Sequence, residues 1–415
     1  MFYILLIIIL ISVLYTKYKQ IITTYGGVSE TFNSFSYIND KGLVIEKKLY
    51  NKYSLGTGES ETPYHIIGGA LSSVSNNDIG VEVTAGSIIN INKVDSGEFD
   101  FAICQEDLLY DNVLGLNKKK IKKKNIRFVT GLYDELYFLI VKQNEGISSF
   151  QGLKNGFSGI GRNYIIGTGN SGSGSLANLK LLCETFTINL LRYNKTGIND
   201  ENKNGNLYYI DEDINVNFNL FIKGEIDALF YVNGPKMTYI YNMSQLVAIK
   251  FVPLDGDAFN LFNQITGNNT KERYIKMDEN SADNVDKKDI GTQAIRSILI
   301  CNNKLPDEVV YDFVKSIYKN IDYLKNYMGR QYKDGTDNSY YNALIPLEMF
   351  YINKHIKIHP GSYKFYNEIG YINIDGNKDC KYDIDKSTCN LVPGLDKKNV
   401  YWKYKSILAT EILNG

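Results

Sequence analysis

The sequence predicts an α/β protein of two lobes, and three observations carry that prediction. Short apolar strands alternate with helix-period stretches along most of the chain, the pattern of a sheet covered by helices. Loops rich in Gly, Ser and Thr follow several of those strands and lead straight into helices. At 415 residues the chain is longer than one core ordinarily organises, so two α/β units are expected in place of one long sheet. Composition agrees with a globular protein, at 44 % apolar and 22 % charged residues. Its 46 Lys and Arg balance 46 Asp and Glu, leaving no global field to draw nucleic acid.

The elements follow in order. Residues 1–15, "MFYILLIIILISVLY", are uninterruptedly apolar, short for a membrane span and closer to the core of an export signal. Residues 1–19 are therefore read as a signal peptide or an N-terminal membrane anchor. No Lys or Arg precedes the run, Lys17 and Lys19 follow it, and no small-residue cleavage site stands after it. Residues 20–50 are polar and weakly patterned, a linker. "KYSLGTGESETPYHIIGGALSSVSN" opens the ordered part with a strand, a Gly/Ser/Thr loop and a helix entered through Gly68–Gly69. "GVEVTAGS" alternates as a strand and ends in a second turn. "INKVDSGEFDFAICQED" reads as helix, turn and buried strand. "NIRFVTGLY" and "ELYFLIVKQ" read as two further strands of a largely parallel sheet.

The pattern then repeats. "NYIIG" is a strand, and the glycine-serine stretch after it leads into a helix with Leu176, Leu179, Leu182 and Phe186 on one face. "NVNFNLFIKGEIDALFYVNGP" gives a helix, a turn and a buried strand, and "LVAIKFVPL" one strand more. Val310, Val314, Ile317, Ile321 and Leu324 mark an amphipathic helix starting at Pro306, with Asp307 and Glu308 in its first turn. The lysine run "KKKIKKK" (118–124) and residues 192–213 and 264–292 read as polar surface insertions.

Cys104, Cys183 and Cys301 fall in apolar stretches and read as inert buried thiols. Cys380 and Cys389 lie in a polar tail, either as a short-loop disulfide or as two unpaired thiols. "DENKNGNLYYID" (Asp200–Asp211) matches part of a calcium loop but ends in Asp in place of the bidentate Glu. His355 and His359, in "HIKIHPG", have helical spacing without the glutamate of a zinc protease motif and are broken by Pro360. No metal and no cofactor is expected.

Gly167, Gly169 and Gly172 spell G-x-G-x-x-G between a strand and a helix, the layout of a dinucleotide fingerprint. Two things oppose it: a long polar insertion interrupts the unit, and no acidic residue ends a strand about twenty positions on to meet a ribose. A Walker A loop fails because Ser175 stands where its lysine would be. What remains is a helix N-terminus with Ser171, Ser173 and Ser175 beside free N–H groups, a setting for a carboxylate or other small anion, or else a plain glycine turn. Nucleophilic catalysis finds only His65 and Asp107 as candidates.

These segments, in this order, resemble the substrate-binding subunits of tripartite ATP-independent periplasmic (TRAP) transporters of the TAXI type. The resemblance runs from about Ser54 to Tyr371 through "GTGESETPYHIIGGAL" (56–71), "TAGSIINI" (84–91), "SGEFDFAICQED" (96–107) and "GNSGSGS" (169–175). "GEIDALFYVNGP" (224–235), "LPDEVVYDFVKSIYKN" (305–320) and "HPGSYKFYNEIG" (359–370) complete it. Thr62, His65, Ile66, Ala85 and Ser171 depart from the pattern, at the mouth of the expected cleft.

The resemblance implies a two-lobed type II periplasmic-binding-protein fold with a ligand cleft between the lobes. Lobe 1 is expected at 51–140 and 256–372, lobe 2 at 141–255, and a C-terminal tail at 373–415, with crossings near 139–146 and 252–256. It implies an extracytoplasmic receptor that captures a small organic anion or amino acid, glutamate-like, for a TRAP-type membrane permease. By position, Tyr64 would pack on the ligand, and Ser87, Asn90 and Gln105 would offer hydrogen bonds from lobe 1. Gly172, Ser173, Gly174 and Ser175 would hold the carboxylate from lobe 2, with Asn233 and Gly234 beside them. The other readings are a sensor or scaffold on the same fold and, behind it, an enzyme using the cleft.

Overall fold

The computed structural model describes residues 53–60, 62–115, 122–155, 162–193, 206–234, 238–256, 259–265, 270–275, 289–324, 327 and 356–369, and the backbone of 34–38 and 44–48. Those last two stretches are strands, β1 (Ser34–Ile38) and β2 (Val44–Lys48), paired antiparallel in a sheet of their own within the unit Met1–Lys52. The expected linker therefore contains a strand pair. Its signal was the alternation of apolar and polar residues in "SFSYI".

The second unit, Tyr53–Gly415, carries the remaining elements. Its first stretch holds β3 (Tyr53–Gly56), α1 (Pro63–Val74), β4 (Ile79–Glu82), α2 (Ser87–Ser96), β5 (Phe101–Gln105) and α3 (Glu106–Leu114). Helix α1 starts at Pro63, whose missing N–H is no loss at a first helical position. Gly68 thus lies inside α1, not at its entry. A Cβ there would come within 2.3 Å of Thr57 Cγ2, so the glycine lets the helix press onto the loop after β3.

The chain continues as β6 (Ile126–Lys142), β7 (Tyr164–Thr168), α4 (Gly174–Thr185), β8 (Asn189–Arg192), β9 (Asn206–Asp211), α5 (Ile214–Lys223) and β10 (Ala228–Asn233). Then come α6 (Thr238–Ser244), β11 (Ile249–Phe251), α7 (Asn260–Ile265), β12 (Lys271–Ile275), β13 (Ile290–Asn302), α8 (Asp307–Lys319) and α9 (Pro360–Glu368). The two strands expected over 126–143 are one strand of 17 residues. Gly131 does not break it, because β13 pairs with β6 on both sides, from Leu136 to Ile126.

The strands order as β4-β3-β5-β13-β6-β10-β7-β9-β8, with β11 added to β6 and β12 to β13. The sheet is mixed, not largely parallel. The pairings of β6 and β13 with other strands are antiparallel, with one parallel bridge from Phe128 to Ile358, and the pairings β3 makes with β4 and β5 and those linking β7, β8, β9 and β10 are parallel.

Period-two alternation distributes side chains over four cores. On β5, Phe101 and Ile103 face one cluster with α1, α8 and α9, while Ala102 and Cys104 face another with α2 and α3. On β10, Phe230 and Val232 face one cluster, Leu229 and Tyr231 a different one. Strands β6 and β13 serve both pairs: Val129, Tyr133, Ile298 and Leu299 in the first two, Leu136, Tyr137, Ala294 and Ile295 in the last two. The protein has two α/β lobes joined through two shared strands.

Those clusters bear on where the chain passes between the lobes. Leu139, Ile140 and Val141 already lie in the second lobe's cores, as do Phe259, Phe262 and Ile275. We therefore place the outward crossing near 134–135 of β6 and the return at 296–297 of β13, where the register shifts between Arg296 and Ile298. Arg296 Nε binds Asp134 Oδ1 there at 2.9 Å.

Cys104, Cys183 and Cys301 are buried free thiols, and burial raises all three above the ordinary thiol range, Cys183 to about 12. His359 caps α9 by accepting the Gly361 N–H at 3.1 Å. Asp211, the last residue of the calcium-like stretch, ends β9 and is held by Arg192 Nε at 2.8 Å. Residues 1–19, His355, Cys380, Cys389 and 373–415 lie outside the described residues, as do 200–205 and 118–121.

Candidate functional site

Between the lobes, where α1 and α2 face α4 and α5, lies a cavity of about 80 Å³, room for the centres of several water-sized groups. Pro63, Ser87, Gly174 and Ile214, the first residues of those four helices, all line it. The arrangement follows from the sequence: each helix begins just past the carboxyl end of a strand, so helix starts gather on one side of the sheet. Their aligned dipoles give the cavity a positive lining without any cationic side chain, though Pro63 brings no N–H and Ser173 and Asp213 cap Leu176 N and Asn215 N. None of the described residues lining it is Lys, Arg or His; two, Glu59 and Glu135, are carboxylic.

Glu135 sits on β6 at the crossing between lobes and is 3 % exposed. Its Oε2 accepts from Gln105 Nε2 at 2.9 Å and from Tyr64 OH at 3.3 Å. Gln105 Oε1 in turn accepts from Asn178 Nδ2 at 2.8 Å, and Asn178 Oδ1 from Tyr137 OH at 2.9 Å. Burial pushes the Glu135 carboxyl up to about 8, with the Gln105 and Tyr64 hydrogen bonds opposing it. Glu59 is raised by burial and then by Asp213, against a hydrogen bond from Asn170 Nδ2. Asp107 rises to about 7, mainly through burial.

Of the residues expected in the site, Tyr64, Ser87, Gln105, Ser173, Gly174, Ser175 and Asn233 line this cavity. Ser87 Oγ accepts the Gln105 N–H at 3.1 Å and lies 3.4 Å from Tyr64 OH. Ser173 caps α4 by accepting from Leu176 N at 3.2 Å. Ser175 Oγ is tied to β10, accepting from Val232 N at 2.9 Å and donating to Val232 O at 3.3 Å. A Cβ on Gly174 would fall 2.1 Å from Gln105 Oε1, so a larger residue here would displace the Gln105 amide.

Asn90, Gly172 and Gly234 do not line the cavity. Asn90 Nδ2 donates to Thr57 O at 2.6 Å and Ile103 O at 2.7 Å, and Oδ1 accepts from Thr84 Oγ1 at 2.8 Å. That side chain clamps the first lobe's loops. Gly172 O accepts the Ile88 N–H from the other lobe at 3.1 Å, and Gly234 N–H is turned onto Asn233 Oδ1 at 2.8 Å. His65 and Asp107 lie off the cavity lining. Glu135, Glu59 and Tyr231 were missed. For Glu135 a signal existed: "DE" interrupts an otherwise apolar strand at 134–135.

A family model described as NMT1-like matches residues 55–370. The chain belongs to the NMT1-like family. The matched stretch of this NMT1-like protein takes in every residue lining the cavity. Similar solved structures include MatC from Rhodopseudomonas palustris with bound malate, 10 % identical, TM-score 0.43, covering 67 % of this chain and 88 % of that one. A Xanthomonas citri protein bound to ATP is 10 % identical with TM-score 0.41, covering 76 % and 98 %. A TctC solute-binding protein from Polaromonas is 14 % identical with TM-score 0.38, covering 67 % and 87 %.

Proposed function

We propose that this NMT1-like protein is an extracytoplasmic solute receptor that binds a small carboxylate-bearing solute between its lobes and delivers it to a membrane permease. The observation that carries the reading is the convergence of four helix N-termini on one cavity whose lining comes from both lobes. Such a lining binds a small anionic group through backbone N–H donors and releases it unchanged. The resemblance of residues 54–371 to TAXI-type subunits supports a TRAP-type permease as the partner and a glutamate-like carboxylate or amino acid as the solute. The apolar segment at 1–15 supports export. The cavity lining offers hydrogen bonds and dipoles in place of a nucleophile–base pair, so binding, not chemistry, is the reading.

A thermal-shift screen of the purified chain against amino acids, dicarboxylates and 2-oxo acids at millimolar concentration tests this. A solute at about a hundred times its dissociation constant adds roughly 2.7 kcal/mol, a rise of several degrees. A folded chain, stripped of any carried-over solute, that none of these shifts would remove the receptor reading.

A further inference from the structure

We infer that the cavity holds a place for a hydroxyl of the solute, with Tyr231 of the second lobe donating to it and Glu59 of the first accepting from it. The inference rests on the receptor reading above and narrows the solute from small carboxylates in general to hydroxy acids.

Two observations carry it, one from each lobe. The first is the direction of the Tyr231 hydroxyl. Tyr231 lines the cavity from β10 and is 3 % exposed. Its oxygen lies 3.0 Å from Asn217 Nδ2. The same nitrogen donates to Thr168 O at 2.7 Å and to Glu212 O at 3.0 Å, and two carbonyl oxygens can be met only by the N–H₂ end of an amide. Toward Tyr231 that nitrogen has no lone pair to offer. The phenol oxygen therefore accepts, and its own proton points away from Asn217 to no acceptor among the described residues. Asn217 is fully buried and its Oδ1 has no partner among them either, so the side chain is held for what its nitrogen does. A buried phenol O–H ordinarily finds an acceptor, and the cavity is where one can come from.

The second is the free side of Glu59, which lines the same cavity from the loop before α1. Its Oε1 accepts from Asn170 Nδ2 across the lobes, and its Oε2 takes no hydrogen bond from the described residues. Glu59 and Tyr231 are neighbours without being bonded to each other. Burial raises the Tyr231 hydroxyl above its ordinary value, the Asn217 bond opposes that, and the charges of Glu59 and then Asp213 add to the rise.

A donor and an acceptor side by side select among the groups a small carboxylate can carry. A hydroxyl gives one hydrogen bond and takes another, so it satisfies both. An ammonium would meet Glu59 but has no lone pair for Tyr231. A second carboxylate would accept from Tyr231 but face the charges of Glu59 and Asp213, with no cationic side chain lining the cavity to offset them. A methyl group would leave both unpaired, and unpaired buried polar groups are what reject an analogue lacking its hydroxyl.

The experiment is calorimetric titration of the purified chain with acids of matched skeleton. One set is propanoate, both lactates, 3-hydroxypropanoate, 3-aminopropanoate and malonate; the other is butanoate, 3- and 4-hydroxybutanoate, 4-aminobutanoate and succinate. In the wild type at least one hydroxy acid is expected to bind about 10- to 100-fold tighter than the plain, amino and dicarboxylic acids of its set. Tyr231→Phe keeps the ring that packs edge-on against Phe218 and removes only the hydroxyl. There, and in Glu59→Ala, the preference for the hydroxy acid over the plain acid is expected to fall below about 3-fold. Closure of the lobes scales both members of a pair alike, so this ratio reads the contact itself. Plain, amino or dicarboxylic acids binding as well as or better than every hydroxy acid in the wild type overturn the inference and leave the receptor reading standing. A preference that survives in a folded Tyr231→Phe overturns it too. If no hydroxy acid binds the folded wild type, this inference fails alone, because the receptor reading is judged by the thermal-shift screen of other solutes.

Discussion

Glu135 is a carboxyl group placed in an apolar strand, and its burial sets a pH dependence that can be worked out in sign. Its folded value of about 8 lies above the 4.5 of an exposed glutamate, so the folded state holds a proton that the unfolded chain releases. Its contribution to stability is complete below about pH 4.5 and is lost as pH rises toward 8, at no more than about 1.4 kcal/mol per pH unit for one proton. Asp107, raised to about 7, acts in the same direction over a lower window. Denaturant unfolding of the wild type at pH 5, 6, 7 and 8 should show stability falling with pH, and Glu135→Gln should flatten that fall by up to one proton's worth. Parallel curves for the two proteins would show that Glu135 titrates alike folded and unfolded.

At the scale of elements, Asn90 shows how a residue can match a binding pattern and yet do structural work. Its three hydrogen bonds join α2 to the residue after β3, to the middle of β5 and to the loop before α2. Replacing it with Ala removes its bond to Ile103 O, while Thr57 O keeps the Thr84 hydroxyl as a donor, so Asn90→Ala should lower unfolding stability by about 1–3 kcal/mol. Solute affinity should change only as far as the loops shift; a variant as stable as wild type would refute the clamp. The elements themselves were legible where hydrophobic period and turn residues agreed, as in "FDFAIC" and in the helix after "GNSGSGS". They were not legible where tertiary pairing overrode a local signal. Gly131 and the charged pair Asp134–Glu135 look like a strand break, yet β13 pairs alongside and carries β6 through them. Gly68 looked like a helix entry because close packing on Thr57, not backbone conformation, is what requires it.

At the scale of the whole molecule, Tyr64, Ser87, Gln105, Ser173, Gly174, Ser175 and Asn233, taken from the family resemblance, line the cavity from both lobes. The floor of the cavity was missed because it comes from a strand shared by both lobes, and sharing is a property of the fold that no local pattern records. The lobes meet across the cavity through Ile88 N–H to Gly172 O, Asn178 to Gln105, and Asn170 to Glu59. Only the last of these joins side chains that are not fully buried, so it can be removed without opening a core. Asn170→Ala takes away one bond of the closed arrangement and frees Glu59 from its partner across the gap. If solute binds only when the lobes touch, apparent affinity scales with the fraction of molecules in that state. A hydrogen bond to a partly exposed carboxylate then corresponds to about a 2- to 10-fold loss of affinity, with the unfolding midpoint of the solute-free chain little changed. Small-angle X-ray scattering should show a larger radius of gyration for the variant without solute and the wild-type value at saturation. An unchanged radius and an unchanged affinity together would mean that the Asn170–Glu59 contact does not hold the lobes together.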